Sequence, residues 1–345
     1  MMLVTAVPLG FFADRVGRHR VTVAAAALIV ISAVAHALSN DFWSLMAARV
    51  LFGLAFTGML TAGIAWTVLS VAPKDRARAI GGVMPVAASS FLIGPYLAGR
   101  LTDVGGTTLA YTVIAVLSGL SLLWLALSPA GDRAKHKQPS PRELLGVIRS
   151  TVVLAAFILL FLGVLVDVMV NLLVPLQLDE NGLSAGQIGA ILSASGVLYL
   201  LSALIAVRNA DRIVNLRAAG IAGLLIALSL VPLAVSSATS MQAVGSMARG
   251  AALGICFTVA FPLGALGATA LGVGLGAANG ALMVASGLAN AAGPIGSERV
   301  ANALGDSWTF AALAAICAVT GIWMLIVARA PASARAGSAT YQGSQ

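Results

Sequence analysis

Charge is what this chain has least of: 9% of its 345 residues are Asp, Glu, Lys or Arg, while 59% are apolar. A soluble domain carries about a quarter charged residues, so a conventional water-facing surface is excluded and lipid is indicated as the solvent. Cysteine is scarcer still. Cys256 and Cys317 both lie within apolar runs, which excludes a disulfide framework and offers no metal-ligand spacing. The three histidines, His19, His36 and His136, have no carboxylate or thiol at ligand spacing, so neither a metal nor a cofactor is expected. Paired aspartates for a metal-bound diphosphate are lacking too, as is a nucleophile with a base. No catalytic residue is therefore expected, and a membrane-embedded transferase is the alternative of a different class. The formal charge of +8 would suit nucleic acid, but the cations occupy short loops between apolar segments, so no nucleic-acid partner is expected.

What the chain has is apolar runs at near-regular intervals: 21–39, 43–71, 79–100, 107–128, 151–176, 185–206, 218–236, 241–264, 272–296 and 307–328. Each is long enough to cross a hydrocarbon core of roughly 30 Å as a helix. Backbone cannot stay unpaired in lipid, and the alternation of a barrel strand is absent, so an all-α integral membrane protein is predicted. Residues 1–12 are apolar as well but would make a helix of only about 18 Å. With that stub the expected count is eleven spans. The polar interval holding Asp132, Arg133, Lys135, His136 and Lys137 divides the chain into an amino-terminal half over 1–128, a linker over 129–150 and a carboxy-terminal half over 151–328. A disordered tail is expected over 329–345, rich in Ala, Ser and Gly.

Sixteen Lys and Arg fall in loops on one side of this arrangement, and only Arg100 and Arg299 on the other. The positive-inside rule makes the cation-rich side cytoplasmic, together with the carboxy terminus. Arg49 and Arg249 remain, both inside apolar runs.

Three landmarks recur about 200 residues apart: Asp14-Arg15 as Asp211-Arg212, Arg49 as Arg249, and Gly94-Pro95 as Gly293-Pro294. The offset carries a loop onto a loop of the same side, so the halves are parallel repeats about an axis along the membrane normal. The second half has two spans before Asp211, whereas the first has only the stub before Asp14. By that alignment roughly 45 residues are expected to precede the chain, giving twelve spans in all.

The densest polar stretch is Gly10-Phe11-Phe12-Ala13-Asp14-Arg15-Val16-Gly17-Arg18-His19-Arg20. It resembles the loop motif G-x-x-x-D-R-x-G-R-[KR]-x of the major facilitator superfamily through Gly10, Asp14, Arg15, Gly17 and Arg18, with His19 departing at a cation position. The second copy keeps Asp211 and Arg212 but has Val207, Val214 and Asn215 for Gly10, Gly17 and Arg18. The resemblance implies a transporter with the two-halved major facilitator fold, in which these residues latch the cytoplasmic ends of the halves. Static topology is the competing reading of the same residues.

Arg49, with Gly53 and Gly58 after it, resembles the fourth-helix motif R-x-x-x-G-x-x-x-G of proton-coupled members. A charge in a span should face a cavity or a partner, although Arg49 lies near enough to the start of its run to snorkel outward. Ser90-Phe91-Leu92-Ile93-Gly94-Pro95-Tyr96-Leu97-Ala98-Gly99 partly resembles the fifth-helix motif of antiporters, with Ser90, Gly94, Pro95 and Gly99 at its key positions. A packing kink explains the same residues. Asp167 is the carboxylate placed deepest in a predicted span, and Asn171 shares its face at i, i+4. An ion-coupling group and a structural acceptor in a wet vestibule both fit it, and Arg249 is a candidate counter-ion. The resemblance implies proton-driven efflux of small apolar or amphipathic molecules by alternating access. A monomer in a bacterial inner membrane is expected, with the proton gradient as energy source. A sugar or metabolite permease and an inactive truncated transporter are the alternatives.

Overall fold

The computed structural model describes residues 9, 12–13, 15–63, 66–67, 70–71, 76–129, 150–270 and 275–329, with side-chain surroundings for all but 76–88, 91, 269, 275–281, 297–298 and 302. Gly10, Asp14, the linker interval 130–149 and the tail 330–345 lie outside the described residues. The chain divides into two compact units, one of 1–137 with 184–190 and one of 138–183 with 191–345.

In the first unit α1 spans Arg18–Leu38, α2 spans Phe42–Gly58 and runs on through a π-turn over Met59–Gly63, and α3 spans Arg76–Leu127. α3 is two limbs broken at Gly105 (φ −142°, ψ 21°) and Gly106 (φ 70°, ψ −178°), the latter a conformation that favours glycine. The predicted runs 79–100 and 107–128 lie one on each limb. Gly17 precedes α1 with φ 108°, again a left-handed value. α1 and α2 approach closely: a Cβ on Gly58 would lie 2.9 Å from that of Ala25. Ser32 Oγ donates to the Ala48 carbonyl at 3.0 Å across this pair.

Asp41 starts α2 with a capping box. Its Oδ1 accepts from Trp43 N at 2.8 Å and Ser44 N at 3.0 Å, and the Ser44 hydroxyl answers the Asp41 amide. The backbone bond from Ser44, helped by its hydroxyl, holds the Asp41 carboxyl below the ordinary carboxylate value of 3.8. A lowered native value adds stability that is complete above the unfolded value and is lost as pH falls through the native one. Asp41→Ala should therefore melt below the parent at pH 7. The gap should narrow as pH falls below the ordinary carboxylate value and through the lowered native one, as followed by thermal unfolding in detergent.

The second unit holds α4 (Thr151–Glu180), most of α5 (Ala185–Arg208), the short α6 (Ala210–Ile213), α7 (Leu216–Val235), α8 (Thr239–Ala270), α9 (Leu275–Leu304) and α10 (Asp306–Arg329). α4 packs against α8 and α9, and α7 against α8 and α10. Small residues set the spacing: Gly220 and Gly223 lie against Gly321, and a Cβ on Gly220 would come 2.8 Å from the Gly321 carbonyl. Among the described residues eight helices are long and apolar enough to cross a membrane. Among the described residues, each of the ten predicted runs overlaps a helix. The two limbs of α3 count as one crossing and α9 is not among the eight, so the expected count of eleven is not reached; the stub over 1–12 lies mostly outside the described residues.

Candidate functional site

The second unit brings three of the predicted residues together inside its bundle. Asp167 and Asn171 lie one turn apart on α4, and Arg249 reaches them from α8. Arg249 Nη1 donates to Asp167 Oδ1, with the two side chains 5% and 30% exposed respectively. Arg249 Nη2 donates to Asn171 Oδ1 at 3.3 Å, and Asn171 Nδ2 closes the triangle by donating to Asp167 Oδ1 at 3.1 Å. Sequence reasoning missed the fourth member. Ser195 of α5 accepts from Arg249 Nη2 at 3.3 Å while donating to the Ser246 carbonyl at 2.6 Å.

α5 and α8 can place Ser195 there only because their backbones nearly touch. A Cβ on Gly250 would sit 2.1 Å from the Ser195 carbonyl oxygen, and one on Gly254 2.3 Å from that of Tyr199. The chemistry that results is a buried guanidinium held by one carboxylate and two neutral acceptors.

Arg49 belongs to the other unit. It lies exposed on α2 of the first unit and makes no hydrogen bond or ion pair with another described residue. Of the loop-motif residues, Arg15 is exposed and Arg18 is buried, while Asp211 and Arg212 are exposed on α6. His19, the departure from the motif, has a role of its own. Its Nε2 donates to the Leu125 carbonyl at 3.0 Å in the last turn of α3, where unpaired carbonyls accumulate. Its ring lies 5.1 Å from that of Trp66, which is buried in the core of the first unit.

The antiporter-like residues of α3 pack on the first turns of α5, a segment that belongs to the first unit. A Cβ on Gly99 would lie 2.2 Å from the Ala185 carbonyl oxygen, and one on Gly189 2.3 Å from that of Pro95. Gly94 meets nothing within 4 Å, and Ser90 is exposed. Asp103, one turn beyond Gly99, receives the start of α5: its Oδ2 accepts from Ser184 Oγ at 3.0 Å and Gly186 N at 2.9 Å. The signal for it in the sequence is Ser184-x-x-Gln187, a capping box whose hydroxyl has a donor to spare. Asp103→Ala should destabilise the protein by on the order of 1 kcal/mol, read as a lower melting temperature, with Asp103→Asn intermediate.

Among the described residues no three His, Cys, Asp or Glu gather as a metal site. The family model described as Major Facilitator Superfamily matches residues 1–178, the loop motif included. The chain belongs to the major facilitator superfamily. It is 29% identical over 204 residues to the 3-(3-hydroxy-phenyl)propionate transporter of Escherichia coli strain K12, covering 55% of this chain and 50% of that one. A second relative, the MFS-type transporter ppzB of Metarhizium rileyi, is 27% identical over 39% of this chain and 28% of its own length. The matches thus span half or less of these relatives. Solved structures share the fold: the human organic anion transporter MFSD10, with a TM-score of 0.65 and 17% identity over 94% of this chain and 80% of that one, is one. Another is a POT family transporter in complex with 5-aminolevulinic acid, with a TM-score of 0.75 and 15% identity over 95% of this chain and 85% of that one. The chain is accordingly a multi-pass membrane protein of this superfamily.

Proposed function

We propose that this facilitator is a proton-coupled secondary transporter of small amphipathic organic acids, with Asp167 as the proton site. The Asp167–Arg249 pair carries the reading. A carboxylate paired with a buried guanidinium gives up that partner when it takes a proton, so proton binding and release switch the pair between two states. The aromatic carboxylate in the name of the Escherichia coli relative supports the same class. Alternating access would present the pair to each side in turn. Arg15 and Arg18, with Asp211 and Arg212, serve as the latch, and the cation-rich side is cytoplasmic.

Export is the direction favoured by the glycine and proline packing of α3 against α5, through Pro95, Gly99 and Gly189. In proteoliposomes, 3-(3-hydroxyphenyl)propionate should move against its gradient when a pH gradient is imposed, and extrusion should follow proton entry. Movement indifferent to the pH gradient would overturn proton coupling. Accumulation in the direction of proton entry would reverse the direction.

A further inference from the structure

Buried polar atoms without a hydrogen-bond partner gather on one face of α8. Among the described residues of the second unit they are Gln242 Oε1, Ser246 Oγ and Arg249 Nε, with Gln177 Oε1 on the adjacent α4. Positions 242, 246 and 249 fall at i, i+4 and i+7, a single stripe of the helix. Gln242 and Ser246 are both 0% exposed, so bulk water does not satisfy them. Three of these four atoms are acceptors, and the fourth is a guanidinium donor. Groups of this kind are rarely left unpaired in every state a protein visits.

The geometry of a helix relates the donor to two of the acceptors. Side chains lean toward the amino end and lie over the preceding turn, so Ser246, three residues before Arg249, is its neighbour on that face. Gln242 is one turn further, about 6 Å along the axis. Its amide is anchored, because Nε2 donates to the Ser236 carbonyl at 3.1 Å and leaves Oε1 as a fixed acceptor.

We propose that this stripe is a second seat for the Arg249 guanidinium, which turns from Asp167 to Ser246 Oγ, and through one water to Gln242 Oε1, when Asp167 is protonated. The proposal rests on the reading of Asp167 as the proton site. In the step one Asp167 oxygen gains a proton from solvent, Arg249 keeps its own, and the pair passes from neutral to singly positive. A buried cation whose partner has been neutralised is costly unless other acceptors receive it. The stripe therefore makes protonation of Asp167 easier and sets the pH at which coupling operates.

The groups facing Asp167 are few. Arg249 comes from α8, and Tyr199 of α5 lies within electrostatic range. Asn171 lies on α4 itself. α9 meets this level of α4 through Gly293 against Val168, with Arg299 six residues further on. α10 brings Asp306 to Gln177, ten residues from Asp167, and α7 has Arg217 in its first turn.

The test is an infrared titration of the purified chain, following the carboxylic acid C=O band that disappears in Asp167→Asn. In the double variant Gln242→Leu/Ser246→Ala the midpoint of that band should move acidward by about one pH unit, because neutral Asp167 now strands the cation. Ser246→Ala alone should move it part of the way, and Ser246→Thr should restore it. An unchanged or alkaline-shifted midpoint in Ser246→Ala and in the double variant overturns the second seat; if the double variant does not fold, Ser246→Ala against Ser246→Thr decides. Should Asp167→Asn remove no titrating band, the proton-site reading itself fails, a result distinct from an unmoved midpoint.

Discussion

Arg249→Ala should abolish gradient-driven transport and leave a protein that is less stable than the parent. Breaking a buried ion pair from one side costs roughly 3–5 kcal/mol when the remaining charge is sealed from water. Here the two directions differ. Removing Arg249 leaves Asp167, whose side chain is 30% exposed, and water can hydrate the orphaned carboxylate or protonate it. Removing Asp167 leaves Arg249, whose side chain is 5% exposed and cannot lose its charge. Asp167→Ala should therefore be the more destabilising substitution, and Arg249→Ala the milder. The double variant Asp167→Asn/Arg249→Gln should recover most of the melting temperature lost by either single change, because no charge is left buried. It should recover none of the proton-driven transport, which we expect to fall about a hundredfold, equivalent to losing roughly 3 kcal/mol of driving interaction. Thermal unfolding and proteoliposome flux on the same preparations check both halves. A double variant that transports against a gradient would refute the role given to the pair.

Gly250→Ala should harm the same site without touching any of its polar groups. The added Cβ would meet the Ser195 carbonyl oxygen at 2.1 Å and the Ser195 hydroxyl at 2.6 Å, well inside contact distance, and the nearer atom is backbone. α5 must then move away from α8 by more than an ångström, roughly, to restore ordinary van der Waals separation. The 2.6 Å bond from Ser195 to the Ser246 carbonyl and the 3.3 Å bond from Arg249 to Ser195 do not survive that displacement. We expect a loss of about 1–3 kcal/mol from overpacking and a fall in transport of at least about tenfold. Gly254→Ala, one turn along, meets the Tyr199 carbonyl and the Ser202 hydroxyl and should behave alike. Gly119→Ala supplies the control. Nothing lies within 4 Å of its Cβ position, so the change should be neutral or stabilising by up to about 1 kcal/mol, as alanine replaces glycine in a helix. Equal melting temperatures for Gly250→Ala and Gly119→Ala would show that the close crossing is not needed.

The helices were legible because lipid leaves the backbone no alternative: a run such as 151–176 must satisfy its amides internally, and α4 does so over Thr151–Glu180. Asp167 and Arg249 were legible for a related reason. Charge is so costly in a span that each rare exception marks a site, and the parallel repeat drew attention to Arg249 through Arg49. The same logic singled out Arg49 with outward snorkelling as the alternative, and its side chain is exposed on α2. Ser195 was hidden among many serines, and nothing in its neighbourhood of small apolar residues announces that a guanidinium from α8 will reach it. His19 was read only as a lost cation. Its bond to the Leu125 carbonyl depends on bringing together residues 106 positions apart, which composition and period do not encode. Asp103 falls between the runs 79–100 and 107–128 and carries no motif, although it seats the start of α5.

Cys256 and Cys317 are both 0% exposed, and the Cys256 thiol is turned toward the Leu159 carbonyl. For spectroscopy this makes the natural chain its own unlabelled background. Maleimide probes should react with a cysteine introduced at an exposed position such as Arg49 and spare the native pair until the protein is denatured. Distance reporters can then be installed without first rebuilding the packing that holds α4 against α8.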